Sequence, residues 1–284
     1  MPWTPISVNS QTRVTAFYSI FEMDFAYGHH FPGETHPFWE CVYVVRGSAC
    51  VSGDGRVFQL AEGDLIFHKP LELHKFYIDH PDGARLFIFT FAMEGDAAYL
   101  QDNVFSLNVE QTEVLHALRG YLQRRLQAID VPEGVSAYEQ YLLPFAQSDC
   151  YAQMIACYVC QLLLSLRESG SVAPAIINTA EAQLFQQAVG YLSAHVDGSP
   201  SVAAVARHCH MSDSSLKRLF QKYAGMSVHK YFLKLKFNTA AQLLQSGLTV
   251  SEAAERLGFS TQSYFSVSCK RELGVSPSQL QIQK

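Results

Sequence analysis

Two groups of polar side chains, 48 to 49 residues apart, have the types and spacing to read a nucleic acid. The first is Ser212, Asp213, Ser214 and Ser215, followed by Lys217, Arg218 and Lys222. The second is Ser260, Thr261, Gln262, Ser263 and Tyr264, followed by Lys270 and Arg271. At the start of a helix lying in a major groove, such side chains reach base edges. Arg218 can pair bidentately with guanine and Gln262 with adenine. Lys222, Lys270 and Arg271 fall where they would meet phosphates, which fix position without reading sequence. Ser212 and Ser260 fall where a hydroxyl caps the first turn of a helix. A third constellation, the CxxC of Cys157 and Cys160, lies within Met154-Ile155, Tyr158-Val159 and Leu162-Leu163. With no second CxxC or His pair nearby, it reads as a helical core face rather than a metal or redox centre.

The polar groups belong to an internal repeat. Ser201–Ser212 matches Thr249–Ser260 at an offset of 48, and after one extra residue the match resumes at 49. Each copy reads as a short helix centred on Ala206 or Ala254, a tight turn, and a second helix opened by Ser212 or Ser260. A long helix over 228–245, carrying Tyr231, Leu235, Ala240, Leu243 and Leu244, joins the two units. Charge separates this half from the rest. Residues 180–284 carry 11 Lys and Arg against 6 Asp and Glu, whereas residues 1–179 carry 10 against 20. The formal net charge of −5 is therefore an acidic domain added to a basic one suited to a polyanion.

Upstream the period changes. Residues 15–95 contain short β-branched and aromatic runs (40–46, 49–52, 56–60, 65–68, 85–91) separated by turn signals, among them Gly53-Asp54-Gly55, which predicts a barrel or sandwich. Residues 108–168 return to helical spacing, with Val114, Leu118, Leu122 and Leu126 on one helix and Ile155, Leu162 and Leu166 on another. Glu168–Pro174 reads as a linker. The first twenty residues lack the pattern of a secretory signal, and no run of about eighteen apolar residues occurs. Seven cysteines, an odd number mostly set in apolar runs, fit a reduced cytoplasmic protein without membrane contact.

At Ala253-Ala254-Glu-Arg-Leu-Gly258-Phe259-Ser260, Gln262-Ser-Tyr264-Phe265-Ser266, Lys270 and Gly274-Val-Ser-Pro277 the sequence resembles the AraC/XylS family of bacterial transcription regulators. Lys236-Phe-Asn-Thr-Ala240-Ala-Gln-Leu243-Leu244 resembles that family's connecting helix. The resemblance covers about 100 C-terminal residues. It implies one subunit placing two recognition helices in neighbouring major grooves of double-stranded DNA, and adds Lys236 to the DNA-contacting set. Where the family carries Arg-x-Phe-Lys, this chain has Val267-Ser268-Cys269-Lys270, and Leu280-Gln281 replaces a Tyr-Arg pair. The lost Arg removes a phosphate contact, so the first recognition helix is expected to carry more of the affinity.

The acidic half resembles the cupin-like sensor domain that precedes this module, through His36-x-x-x-Glu40, Gly47, Gly63-Asp64-Leu65 and Pro70-x-x-x-His74. The resemblance to metal-dependent cupins marks Glu34, His36, Glu40 and His74 as a set able to hold an Fe, Mn or Ni ion. Because the Pro70-to-His74 spacing is one residue shorter than the metal-binding pattern, the expectation is a site without metal or other cofactor, with that quartet as the alternative. The expected site is an effector pocket for a sugar or small metabolite, lined by His36, Trp39, Glu40, Tyr43, Arg46, His68, His74 and Phe76.

The expected fold is a multidomain α+β chain. Residues 1–107 form a cupin-like β-barrel (jelly roll), 108–173 a helical dimerisation segment and linker, and 174–284 an all-α DNA-binding domain with helix-turn-helix units at 201–223 and 249–272. The expected function is a homodimeric, non-enzymatic regulator that binds DNA and a small effector and activates through RNA polymerase. The alternatives are a metal-dependent cupin enzyme, or a regulator answering to a protein partner, on the same DNA-binding module.

Overall fold

Among the described residues, the turn-punctuated, β-branched N-terminal sequence folds into eight strands: β1 (Thr12–Phe25), β2 (Trp39–Arg46), β3 (Ser48–Gly53), β4 (Arg56–Ala61), β5 (Asp64–His68), β6 (His74–Tyr77), β7 (Ala84–Gly95) and β8 (Val104–Ser106). The computed structural model describes residues 11–169, 179–273 and 275–282. The strands form two antiparallel sheets, one ordered β1-β7-β2-β5-β8 and one ordered β4-β3-β6. Asp54 (φ 44°) and Gly55 (φ 87°) are both left-handed, as a two-residue hairpin between β3 and β4 requires. Side chains alternate across each strand. Val42, Val44, Val51, Phe58, Ile66, Leu86 and Ile88 fill the space between the sheets. Trp39, Cys41, Tyr43, Phe67, Phe87, Phe89 and Phe91 face out of the five-stranded sheet into a second core. With both faces buried, β2 reads as a continuous apolar run rather than an alternating one.

That second core is closed by α1 (Val109–Gln127) and α3 (Asp149–Ser169), with the short α2 (Leu143–Gln147) before α3. Asn108 and Gln111 form a reciprocal capping box at the start of α1. Leu115, Leu118 and Leu122 of α1 meet Ile155, Val159 and Leu162 of α3 over the sheet. Arg119 holds Glu22 of β1 through two bonds of 2.7 and 2.8 Å. The helices expected as a separate segment over 108–173 thus share one core with the β domain, because the outward face of the five-stranded sheet is aromatic and must be covered. Among the described helices, α3 is long and apolar enough to cross a membrane by length and composition, but its Tyr151, Ile155, Val159, Leu162, Leu163 and Leu166 are buried in that core. Of the linker expected over 168–174, Glu168 and Ser169 belong to α3; the rest, the boundary at 173/174 and Gly274 lie outside the described residues.

The C-terminal half is all helix: α4 (Ala180–Ala194), α5 (Val202–His208), α6 (Asp213–Ala224), α7 (Val228–Gln245), α8 (Val250–Arg256), α9 (Gln262–Leu273) and α10 (Pro277–Ile282). Thr179, Ser201, Ser212, Ser227 and Thr249 each cap a helix start. The pairs α5–α6 and α8–α9 are the two expected helix-turn-helix units. Buried Ala206 and Ala254 allow the close crossing of each pair. The turn passes through a left-handed residue in both copies, His210 (φ 54°) and Gly258 (φ 67°). At Gly258 a Cβ would lie 2.2 Å from the Asp197 carbonyl oxygen, so no other residue fits. The cap expected at Ser260 is at Thr261 instead, whose Oγ1 accepts from the Tyr264 N–H at 3.1 Å. Ser260 is the extra residue of the second copy. The helix α7 spans both units, giving Tyr231 and Phe232 to the first core and Phe237, Ala240 and Leu244 to the second.

The two halves are docked. The outward face of the three-stranded sheet (Cys50, Val57, Leu73) joins one apolar cluster with Phe185, Val189, Phe220 and Tyr223 of the helical domain.

Candidate effector pocket and nucleic-acid interface

A cavity of about 380 Å³ opens between the two sheets. Its walls are aromatic: Phe21 and Phe25 from β1, Phe31 and Phe38 from the segment before β2, Phe76 from β6 and Tyr138 from the segment after α1. Phe31 stacks on Phe76 with ring centres 5.0 Å apart, and Phe38 lies between Tyr18 and His36 at 4.0 Å from each. Polarity is confined to two places. Ser19 and Thr90 share a 2.6 Å hydrogen bond across β1 and β7. Glu34, His36 and Glu40 form the ionisable end. A chamber of this size, largely apolar with a few convergent polar groups, has the make-up of a small-molecule site.

Backbone pairing assembles the ionisable end. Glu34 and His74 bond to each other's main chain at 3.0 and 3.1 Å, and Glu40 stands opposite His68 in the β2–β5 ladder. His36 Nδ1 lies 3.0 Å from the Phe38 carbonyl and His74 Nδ1 lies 3.0 Å from the Glu72 carbonyl. A carbonyl only accepts, so both Nδ1 atoms carry a proton, and each ring turns its Nε2 toward the carboxylates. His36 Nε2 is 3.4 Å from Glu40 Oε2. His74 Nε2 lies 3.6 Å from Glu40 Oε1 and 3.7 Å from Glu34 Oε1, and makes no hydrogen bond. Two carboxylates facing the His74 Nε2 favour a proton on that nitrogen. Burial would lower the His74 ring's affinity for a proton, but the Glu40 and Glu34 carboxylates outweigh it and raise its pKa well above the ordinary value. Burial likewise opposes ionisation of Glu40, and the attraction of His74 with the His36 contact still holds it below the usual carboxylate range. Behind them His68 stacks on His74 at 4.3 Å and its Nδ1 bonds Glu72 Oε1 at 3.0 Å.

Of the expected pocket residues, His36, Glu40 and Phe76 line the cavity, and His74 closes its ionisable end. Four do not line it. Trp39 and Tyr43 alternate with Glu40 along β2 and so face the α1–α3 core. Arg46 is exposed beyond a bulge and pairs with Asp24 at 3.4 Å. His68 is buried behind His74. Sequence reasoning missed Tyr18, Ser19, Phe21, Phe25, Phe31, Phe38, Ile88, Thr90 and Tyr138. Ser19, Phe21, Ile88 and Thr90 share one face of the β1–β7 pair, but a bulge between Phe17 and Ser19 breaks the alternation along β1 and β7 is buried on both faces, so no local signal marks them.

In the helical domain, Ser212, Asp213, Ser214, Lys217 and Arg218 are exposed on the first turns of α6, with Ser215 half-buried. Thr261, Gln262, Ser263 and Tyr264 are exposed at the start of α9, as is Ser260 before it. Lys270 and Arg271 are exposed near its end, Arg271 paired with Glu272 at 3.0 Å. Lys222 is exposed but engaged by Glu181 of α4. Lys236 departs from its expected role. It is buried, its Nζ donating to the Leu257 carbonyl at 2.8 Å between the rings of Phe232 and Phe259, so it caps the end of α8 instead of meeting DNA.

The last carbonyls of α6 are received by the β domain. A helix leaves its final carbonyls without partners of its own. Lys75 Nζ donates to those of Gln221 (3.1 Å) and Lys222 (2.8 Å), and Ser52 Oγ donates to that of Tyr223 (2.5 Å). Gly33 fits beside the fourth, since a Cβ there would lie 2.1 Å from the Ala224 oxygen. Alternation along β6 puts His74 and Phe76 at the cavity and Lys75 on the recognition helix.

A β domain with an internal ligand-sized cavity, docked on a tandem helix-turn-helix reader, defines the class of two-domain DNA-binding regulators. Comparison with known proteins agrees. The AraC-like ligand binding domain family matches residues 24–129 and a helix-turn-helix domain family matches residues 205–283, together more than half of the chain. The chain is similar to the HTH-type transcriptional activator RhaR of Cronobacter sakazakii, 27% identical over 256 residues covering 87% of this chain and 85% of that one. It is also similar to the arabinose operon regulatory protein of Escherichia coli K12, 27% identical, covering 83% of this chain and 77% of that one. Among solved structures, an AraC-type regulator from Chromobacterium violaceum is 29% identical over 37% of this chain and 96% of its own, with a TM-score of 0.35. The chain belongs to the AraC family of transcription regulators.

Proposed function

We propose that the chain is a cytoplasmic transcription activator whose DNA-binding half is controlled by a small metabolite held in the cavity between its sheets. The observation that carries this reading is β6, a four-residue strand with its even-numbered side chains at the cavity and Lys75 on the end of the first recognition helix. A ligand that shifts Phe76, His74 or the adjoining Gly33–Glu34 segment changes the fit of the group that holds α6. Coupling follows if ligand affinity differs between docked and undocked arrangements. The aromatic walls suit the apolar face of a sugar or a similar small metabolite, and the ionisable end suits its polar groups.

In this reading Asp213, Ser214, Lys217 and Arg218 read one major groove and Thr261, Gln262, Ser263 and Tyr264 the next, with Lys270 and Arg271 on phosphates. Two copies pair through the outer face of α3, where Met154, Cys157 and Leu164 remain exposed at helical spacing, and the pair engages RNA polymerase at the promoter. The test is footprinting of the DNA upstream of the protein's own gene and its neighbours. Each copy of the full chain should protect two successive major grooves on one face, and Arg218→Ala should weaken protection of one of each pair. A chain that protects no stretch, or an Arg218→Ala chain that protects both grooves fully, contradicts the reading.

A further inference from the structure

On the reading that places α9 in a major groove, we propose that Val267 selects thymine by packing its methyls against that base's C5-methyl group. Ser263, Tyr264, Val267, Lys270 and Arg271 recur at helical spacing and are all exposed, while Phe265, Ser268 and Cys269 are buried on the other face. Val267 is the middle of the exposed face, with hydroxyls toward the start of the helix and two cations toward its end. The valine is 67% exposed, and Tyr264, one turn earlier, is 54% exposed. Single apolar residues on a surface are ordinary. These two stand together on the face that the helix-turn-helix unit turns outward. The internal repeat gives the position its meaning. Leu216–Phe220 of α6 aligns with Phe265–Cys269 of α9, so Val267 stands where Arg218 stands in the first unit. Both are exposed, and their neighbours match in burial: Leu216 with Phe265, Leu219 with Ser268, Phe220 with Cys269. One register thus carries a guanidinium in α6 and a branched hydrocarbon in α9.

The side chain selects the base. In the major groove every base pair shows hydrogen-bond donors and acceptors, and thymine alone adds a methyl group. Valine satisfies neither donor nor acceptor. Against the edge of guanine, adenine or cytosine it displaces water and leaves polar atoms unpaired. Against a thymine methyl it buries apolar surface on both partners. A β-branched side chain keeps one preferred χ1 rotamer in a helix, so little freedom is lost on contact. Lys270 and Arg271, one turn further on, supply the phosphate contacts that hold this face to the duplex.

The test is fluorescence anisotropy of the full chain on the footprinted duplex, with thymines of the α9 groove replaced one at a time by deoxyuridine, which lacks only the methyl. That groove is the one whose protection survives Arg218→Ala. At least one replacement should weaken binding about fourfold, the effect of burying one methyl group. Val267→Ala should weaken binding to the parent duplex at least as much and largely remove the deoxyuridine penalty there, because both changes delete one contact. Val267→Arg should shift the preference at that base pair from thymine toward guanine. An α9 groove without thymine, or one in which no replacement weakens wild-type binding, overturns the proposal and leaves groove reading by α9 intact. A Val267→Ala chain that keeps the full deoxyuridine penalty puts the valine in a protein contact and also overturns the proposal. A chain that protects no duplex contradicts groove reading itself, and the proposal with it.

Discussion

Replacing Lys75 by Met keeps an apolar stem of similar reach while removing the ammonium that receives the end of α6. Two charge-assisted hydrogen bonds are lost, at 2.8 and 3.1 Å. A hydrogen bond to a charged group contributes about 1.5–3 kcal/mol, and a cation at a helix C-terminus about 0.3–1 kcal/mol. Burial of the ammonium offsets part of this, since burial lowers the Lys75 pKa in the docked protein. The Gln221 carbonyl also retains its bond from the Gly225 N–H. A net loss of about 2 kcal/mol remains, which is about thirtyfold in the docking equilibrium. Hydrogen exchange followed by mass spectrometry reads it directly. Segments 219–226 and 74–77, which face each other across the junction, should exchange about thirtyfold faster, while 109–127 in the α1–α3 core keeps its wild-type rate. Wild-type rates at the junction in a folded Lys75→Met chain would refute the coupling. Equal acceleration in α1 would show general destabilisation instead of undocking.

Three further outcomes are expected. Arg218→Ala should cost about 1–3 kcal/mol of DNA affinity and relax specificity at one base pair, more than Gln262→Ala costs, measured by fluorescence anisotropy on the footprinted duplex. Lys236→Met should lower the unfolding free energy by about 2 kcal/mol in urea, through the lost cap and cation–π contacts, yet leave the salt dependence of DNA binding unchanged because the ammonium is buried. Gly258→Ala should destabilise the second unit by about 2–3 kcal/mol, from a left-handed φ of 67° and a Cβ driven against the Asp197 carbonyl, as seen in thermal melts.

The reader domain was legible because its signals are local. The repeat, the capping hydroxyl at 212 and the buried alanines each act within a turn or two of chain, and the helices follow at the expected places. The single misplaced cap, Ser260 for Thr261, came from assigning the extra residue of the second copy to the wrong side of the turn. The sensor's strands were legible from their turns, but the cavity was not. A strand buried on both faces has no hydrophilic side to mark its parity, so Trp39 and Tyr43 looked as suited to a pocket as Glu40 did. The quartet at the ionisable end was visible as residues, while its convergence depends on Glu34 pairing with His74 forty residues away. Lys236 shows the opposite limit. A cation on a helix of a basic domain suggests DNA, and only packing reveals that Leu257 and two rings enclose it. The capping of α6 by Lys75 and Ser52 joins residues about 150–170 apart in sequence, a contact no local pattern announces.

The central claim is that the cavity and the reader communicate through β6. The most direct measurement is expression from the footprinted promoter in a reporter strain lacking the chromosomal copy, across a panel of sugars and small metabolites, with wild-type and Lys75→Met proteins at matched abundance. The account predicts that at least one metabolite shifts expression with the wild-type protein, and that Lys75→Met holds expression near one level whichever metabolite is supplied. A Lys75→Met protein that responds to the same metabolite with wild-type amplitude and midpoint would contradict it.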